Sequence, residues 1–382
     1  MKIIINAITT KKSAGGAFQI SSNFIRESLN HSDVEWYWVV SEDLDAVLGK
    51  EFETFKGTRY FIFPTQPDFK HSYFRVRREL RELEKKVQPD VIYTITAPSY
   101  FRFDTREVMR FTNPLVTHPN MYSWKVQSLK AKTRIKIYCW NQKRMMRKAH
   151  YFVTQTEFTK QGIMRITGEP DSHVRVVSNV LPAAFAHQDN THTDNGSGWI
   201  EVACVGAPVP HKNFDIIPGV LLELKKLGIT NLRFHTTIPE NDPLWGRIKS
   251  DLVKNNMLEY VQNHGRVSQA ELADMYRYCS LCFLPTLLEV FSASTVEAMF
   301  YDLKIVATEF PFNREVLQDA ALYYEPMNAK DAAKKISKIL ADKELQTEFS
   351  LRMKRQMTLY GDYSKHFNGI KDFLVEVGGG AI

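Results

Sequence analysis

The sequence predicts an α/β protein built as two doubly wound domains facing each other across a cleft. Short apolar runs alternate with amphipathic stretches through both halves, which is the pattern of mostly parallel sheets covered on both faces. The alternation stops once, over residues 183–199, a polar, aperiodic stretch containing Gly and Asn that reads as an inter-domain connection. At 382 residues the chain is also too long for one ordinary core and right for two. The expected boundaries are a first domain at 1–182, the linker at 183–199 and a second domain at 200–362.

In the first domain the apolar runs place strands at Lys2–Ala7, Val34–Val40, Tyr60–Phe63, Val91–Ile95, Leu115–His118, Tyr151–Thr154 and Val174–Val177. Helical periodicity falls at Gly16–Leu29, Phe69–Val87 and Trp124–Lys148. In the second domain strands are expected at Ile200–Val205, Leu232–His235, Val261–His264, Leu281–Leu284, Lys304–Ala307 and Ala321–Tyr324. Helices are expected at Asn213–Leu227, Pro243–Asn255, Ser268–Tyr278, Ala293–Phe300, Arg314–Asp319, Ala329–Leu340 and Glu344–Tyr360, with a last amphipathic segment at Tyr363–Val377.

Composition is that of a globular protein, 44% hydrophobic and 24% charged, and no apolar run approaches the length needed to span a bilayer. The first residues, Met1–Ala7, read as a buried strand rather than a signal peptide. Cys139, Cys204, Cys279 and Cys282 fall in predicted elements, and Cys279 and Cys282 lack the second pair a zinc site needs, so all four are expected to pack in a reducing cytoplasm. Charge is uneven. Residues 1–182 carry 29 Lys and Arg against 18 Asp and Glu, and no acid lies between Glu107 and Glu157. Across 124–148 the basic residues are interleaved with Trp124, Tyr138 and Trp140. That pattern suits an anionic membrane surface, with a solvated basic face or nucleic acid phosphates as the alternatives.

The stretch with the most chemistry runs from Leu284 through Glu289 to Glu297. A buried strand ends at Pro285, a loop carries Glu289, and a helix begins near Ser292 with Ser294 and Thr295 in its first turn. Glu297 follows two turns along that helix, with seven residues between the acids. Carboxylates accept hydrogen bonds from hydroxyls and helix N-termini attract phosphate, so the two halves together describe a nucleotide sugar; two surface acids are the plainer alternative. Gly15 and Gly16 at a helix entrance allow close backbone approach. His118 is expected at the carboxyl edge of a strand, where ligands bind in open sheets. Lys212, on the loop leaving the strand before Gly206, can reach a diphosphate as a point charge.

These features resemble the retaining glycosyltransferases of the two-Rossmann (GT-B) type, specifically the family four, or group 1, enzymes. The resemblance spans nearly the whole chain and is strongest over the stretch from His264 to Tyr278, over Leu284 to Phe300, and over Gly206 to Lys212. It implies that Glu297 binds the nucleotide ribose, Glu289 and His118 lie at the donor sugar, and Lys212 with Gly15 and Gly16 approaches the diphosphate. Phe291, Ser292, Ser294 and Thr295 belong to the same donor-binding motif. It also implies that Tyr363–Val377 crosses back to the first domain. Two departures stand out. Ala207 occupies the position where the family carries an arginine, leaving His211 or Arg266 as replacement cations, and Val290 and Ser292 replace the usual glycines.

The resulting expectation is a metal-independent hexosyltransferase using a UDP- or GDP-linked donor and no cofactor. Its acceptor would be a lipid-linked glycan for surface polysaccharide, met by a cytoplasmic enzyme peripheral at the inner membrane face. A non-catalytic sugar-nucleotide-binding protein is the main alternative and a nucleic-acid binder the weaker one, since no recognition motif accompanies the basic residues.

Overall fold

The computed structural model describes residues 1–12, 15–65, 72–182, 185 and 188–382. The chain divides into two compact units. One comprises Met1–His118, Ile135–Ser178 and Ser364–Ile382; the other comprises Pro119–Arg134 and Asn179–Tyr363.

The first unit holds a seven-stranded sheet. Its strands are β1 (Lys2–Ala7), β2 (Glu35–Ser41), β3 (Tyr60–Phe63), β4 (Val91–Thr94), β5 (Glu107–Arg110), β6 (Tyr151–Thr154) and β7 (Val174–Val176). They pair in the order β3-β2-β1-β4-β5-β6-β7, every pair parallel. β1 is an interior strand, Ile5 opposite Trp38 on one side and Tyr93 on the other. That placement explains its unbroken Ile3-Ile4-Ile5 run, since a strand covered on both faces has no polar side. One layer of core packs Ile4, Val39 and Ile92 against Val76, Leu80 and Leu83 of the helix Tyr73–Val87; a second packs Met109, Phe111 and Phe152 with Cys139 and Ile163. The C-terminal helix Tyr363–Gly378 belongs to this unit. Its Phe367 is fully buried against Phe24 and Trp36 and stacks on His31, and Lys371 pairs with Asp33 at 2.8 Å.

The second unit holds β8 (Ile200–Ala203), β9 (Leu232–Thr236), β10 (Val261–Asn263), β11 (Leu281–Leu284), β12 (Lys304–Thr308) and β13 (Ala321–Tyr324). Their order is β10-β9-β8-β11-β12-β13, again parallel throughout. A single large core runs through it, from Phe185 and Val202 to Tyr324 and Met353.

Several expectations are corrected. The stretch Leu115–His118 is not a strand. Asn113 caps a short helix, Pro114–Thr117, its Oδ1 accepting from the Leu115 amide at 3.1 Å, and Pro114 supplies a preset φ at the first helical position. The strand in this region is β5, which the charged ends Glu107 and Arg110 conceal. The single helix expected at Trp124–Lys148 is two, Met121–Lys125 and Leu129–Met146, the first opened by a capping box of Asn120 and Ser123. The helices Glu42–Leu48 and Glu157–Thr167 add to the expected elements. The expected helix at Asn213–Leu227 begins as short 3-10 turns because Asn213 sits at φ 56°, and regular helix starts at Ile217. The expected helix start at Phe69 lies outside the described residues, as do Ala183, Ala184, Ala186 and His187 of the linker.

Candidate active site

In an open parallel sheet the loops leaving two neighbouring strands diverge where the strand order reverses, and ligands settle in that crevice. In the second unit the reversal falls between β8 and β11, whose loops carry Lys212 and Glu289.

The loop after β8 turns at Gly206, whose φ of +152° disfavours any side chain, and the stem of Lys212 passes directly over it. A turn at Pro210–Lys212 then presents the ammonium group. Lys212 Nζ forms an ion pair with the Glu289 carboxylate and lies 3.4 Å from Ser292 Oγ. The acid-bearing loop is held from three directions. The Leu287 amide donates to the His211 carbonyl at 2.7 Å, Thr308 Oγ1 donates to the Thr286 carbonyl at 2.5 Å, and Asn120 Nδ2 donates to the Leu287 carbonyl at 2.7 Å. Lys212 and Glu289 are 77 positions apart in the chain, so their meeting is set entirely by the adjacency of β8 and β11.

Ser292 occupies the N-cap of the helix Ala293–Phe300 without capping it, its hydroxyl being shared with Lys212 and with Ser294 Oγ at 2.8 Å. The first-turn amides are therefore not satisfied by the N-cap side chain, which is the usual preparation for an anion. Thr295 is buried, its amide donating to the Ser292 carbonyl. Glu297, two residues further, is buried and accepts at 2.8 Å from the Tyr276 hydroxyl. Burial pushes its carboxyl up to about 7, against the pull of Tyr276 and Lys212 in the other direction.

The remaining predicted residues are dispersed more widely. Phe291 is buried with its ring edge-to-face against Tyr360 at 5.4 Å, so it anchors the loop from within the core. His211 is a poor substitute cation: burial lowers its pKa, and Lys212 adds to that, with Glu289 opposing. Arg266 is exposed after β10 and has no carboxylate partner among the described residues. Its loop is anchored beneath by a buried network. His264 bonds His235 at 2.8 Å, and His235 bonds Glu201 at 2.7 Å. Burial alone would raise the Glu201 pKa, but hydrogen bonds from Arg233 and His235 hold it down to about 2. Gly15, Gly16 and His118 belong to the first unit. Gly15 is the N-cap of Gly16–Ser28 at φ 54°, and a Cβ on either glycine would meet nothing within 4 Å. This loop follows β1, which borders the order reversal of the first sheet. His118 is buried at the end of Pro114–Thr117, Nδ1 2.8 Å from Thr117 Oγ1 and its ring 4.7 Å from Phe158.

Sequence reading did not single out Asn120 or Tyr276. The Asn120-x-x-Ser123 capping pattern was visible, but nothing local tells that Asn120 also reaches Leu287. Among the described residues no group of three His, Cys, Asp or Glu could hold a metal ion, and no helix is long and apolar enough to cross a membrane.

Two doubly wound sheets define the class, a two-Rossmann protein, and the second carries a cation, an acid and a helix N-terminus at its order reversal. Residues 200–356 match the family model of glycosyl transferases group 1. An uncharacterized glycosyltransferase of Methanocaldococcus jannaschii is 30% identical over 144 residues, a match covering 37% of this chain and 38% of that relative. Solved structures similar over nearly the full length include Anabaena HepE in complex with UDP and glucose (TM-score 0.72, 12% identity, 98% of this chain and 100% of that one). A glycosyltransferase from Rickettsia africae (0.71, 13%, 98% of each) and the sucrose-phosphate synthase of Thermosynechococcus elongatus (0.71, 13%, 99% of each) share the same fold.

Proposed function

We propose that the protein transfers a sugar from a nucleotide diphosphate to an acceptor hydroxyl with retention of configuration. The observation that carries the reading is the cluster of Lys212, Glu289 and Ser292 at the mouth of the helix Ala293–Phe300. Lys212 is neutralised by Glu289; a diphosphate would take over the ammonium and free the carboxylate to accept from sugar hydroxyls. The C1–O bond to the diphosphate breaks, its electron pair leaving with the phosphate oxygen, and the acceptor hydroxyl oxygen bonds to C1 on the same face. Lys212 and the helix amides stabilise that charge, the largest to develop in the transition state. The departing oxygen takes the acceptor proton, so no separate base is needed and no metal is required. Glu297 accepts from the ribose hydroxyls. A UDP-linked donor is favoured by the fold's occurrence in HepE, which binds UDP-glucose.

The acceptor is proposed to be a lipid-linked glycan of surface polysaccharide assembly, reached from an anionic membrane surface. Support comes from the helix Leu129–Met146, whose exposed side carries Leu129, Ile137 and Trp140 between Lys130, Arg134, Lys136 and Arg144. An apolar stripe left uncovered and bordered by cations is the make-up of an interfacial helix.

The test is a donor panel with Glu289→Ala as control. A nucleotide sugar that raises the melting temperature and yields free diphosphate with wild type, and yields none with the variant, supports the enzyme. Binding without turnover in both would favour the non-catalytic reading, for which Ala207 in the usual arginine position is the motivation.

A further inference from the structure

Two aromatic residues stand beside the acid-bearing loop and have no part in the roles assigned above. Asn120 donates to the Leu287 carbonyl, two positions before Glu289, and opens the helix Met121–Lys125, which packs against the Pro210–Lys212 turn. Tyr122 therefore lies in a helix fastened to both loops of the Lys212–Glu289 pair. From the other side, Thr308 donates to the Thr286 carbonyl and is followed two positions on by Phe310. Tyr122 and Phe310 meet, ring centroids 5.8 Å apart at 75°. Phe310 in turn stacks on buried Phe312 at 5.2 Å and 16°.

This is a buttressed arrangement. One face of Phe310 is covered by Phe312. Whichever ring presents its edge in the contact with Tyr122, one face of Tyr122 is left uncovered by Phe310. Tyr122 and Phe310 are both only partly buried, whereas Phe312 behind them is not accessible. An aromatic face carries negative quadrupole charge, and the C–H-rich face of a pyranose carries weak positive charge, so the two stack when held in register. A hexose has one edge of hydroxyls for a carboxylate and one apolar face for a ring. Glu289 offers the first and Tyr122 the second.

Resting on the donor-site reading above, we propose that Tyr122, buttressed by Phe310, is the stacking wall for the sugar ring of the nucleotide sugar and so contributes to which sugar is accepted. A sugar with an axial hydroxyl on the stacked face is disfavoured, because that hydroxyl holds the ring off the aromatic surface.

The experiment separates the sugar's contribution from the nucleotide's. Dissociation constants of UDP and UDP-glucose, and of GDP and GDP-mannose, are measured calorimetrically for wild type, Tyr122→Ala, Tyr122→Phe and Phe310→Ala. For the pair that wild type binds, Tyr122→Ala should reduce the tightening due to the sugar by roughly threefold to tenfold. Affinity for the bare diphosphate should stay within about twofold, which also certifies the fold. Tyr122→Phe should keep the sugar increment, and Phe310→Ala should lose part of it. An unchanged increment in Tyr122→Ala overturns the proposal while leaving the donor site intact. Equal weakening of diphosphate and nucleotide sugar overturns it too, by making the ring structural. If wild type binds neither diphosphate, the donor-site reading itself fails and takes the proposal with it.

Discussion

Donor affinity should depend on pH through Glu297. Burial pushes its carboxyl up to about 7. It is about one tenth ionised at pH 6 and about nine tenths at pH 8. Only the carboxylate can accept from both ribose hydroxyls, so the dissociation constant for a nucleotide sugar should rise about tenfold as pH falls from 8 to 6. The ligand must be the esterified nucleotide sugar, since the terminal phosphate of a free diphosphate titrates near 6 itself. Glu297→Gln should flatten the profile and fix the affinity near the weak, low-pH value. The same group makes a stability statement of opposite sense. The native protein holds this proton more tightly than the unfolded chain, so its contribution is fully present below the ordinary carboxyl range of about 4.5 and is lost as pH rises through 7. Forcing the buried group to ionise costs on the order of 3 kcal/mol, and Glu297→Gln should therefore melt higher than wild type at pH 8 and not at pH 5. A wild-type affinity that is level between pH 6 and pH 8, or a variant that keeps the slope, would refute the reasoning.

Other perturbations test separate parts of the molecule. Lys212→Ala should lower turnover by about a hundredfold to a thousandfold, as expected for loss of a group that stabilises leaving-group charge; a loss under tenfold in single-turnover assays would remove Lys212 from that role. Phe367→Ala empties a site in the first unit's core and should cost about 3–5 kcal/mol by denaturant unfolding, because the ring is fully buried against Phe24 and Trp36. At Gly162 a methyl group would stand 2.6 Å from the Thr117 carbonyl oxygen. Gly162→Ala must push the helix Glu157–Thr167 off the turn that positions His118, with a cost of about 1–3 kcal/mol read from the melting temperature. Ile137→Glu with Trp140→Glu should abolish flotation with anionic liposomes and leave nucleotide affinity alone; failure of wild type to float would remove the membrane proposal.

What the sequence determined by itself is the part written in local pattern. β1, β3, β6, β11 and β13 were placed residue for residue, and Ala293–Phe300 likewise, because strands buried on both faces are short unbroken apolar runs and a helix start is marked by its own polar residues. The pattern was misleading where burial is imposed from outside. β5 begins with Glu107 and ends with Arg110, and only the neighbours β4 and β6 make it a strand; Leu115–His118 is apolar enough for a strand, yet Asn113 and Pro114 turn it into helix. The site divides the same way. Lys212, Glu289, Ser292 and Glu297 could be named from their loops, since each sits at a junction of strand and helix. Their arrangement was decided by the parallel adjacency of β8 and β11, which joins an amine and a carboxylate far apart in sequence. Tertiary packing alone brought Asn120 to Leu287 and Tyr122 to Phe310, and it buried Glu297 deeply enough to move its titration toward neutrality. Such contacts and desolvation depend on distances in space, and local sequence carries no record of them.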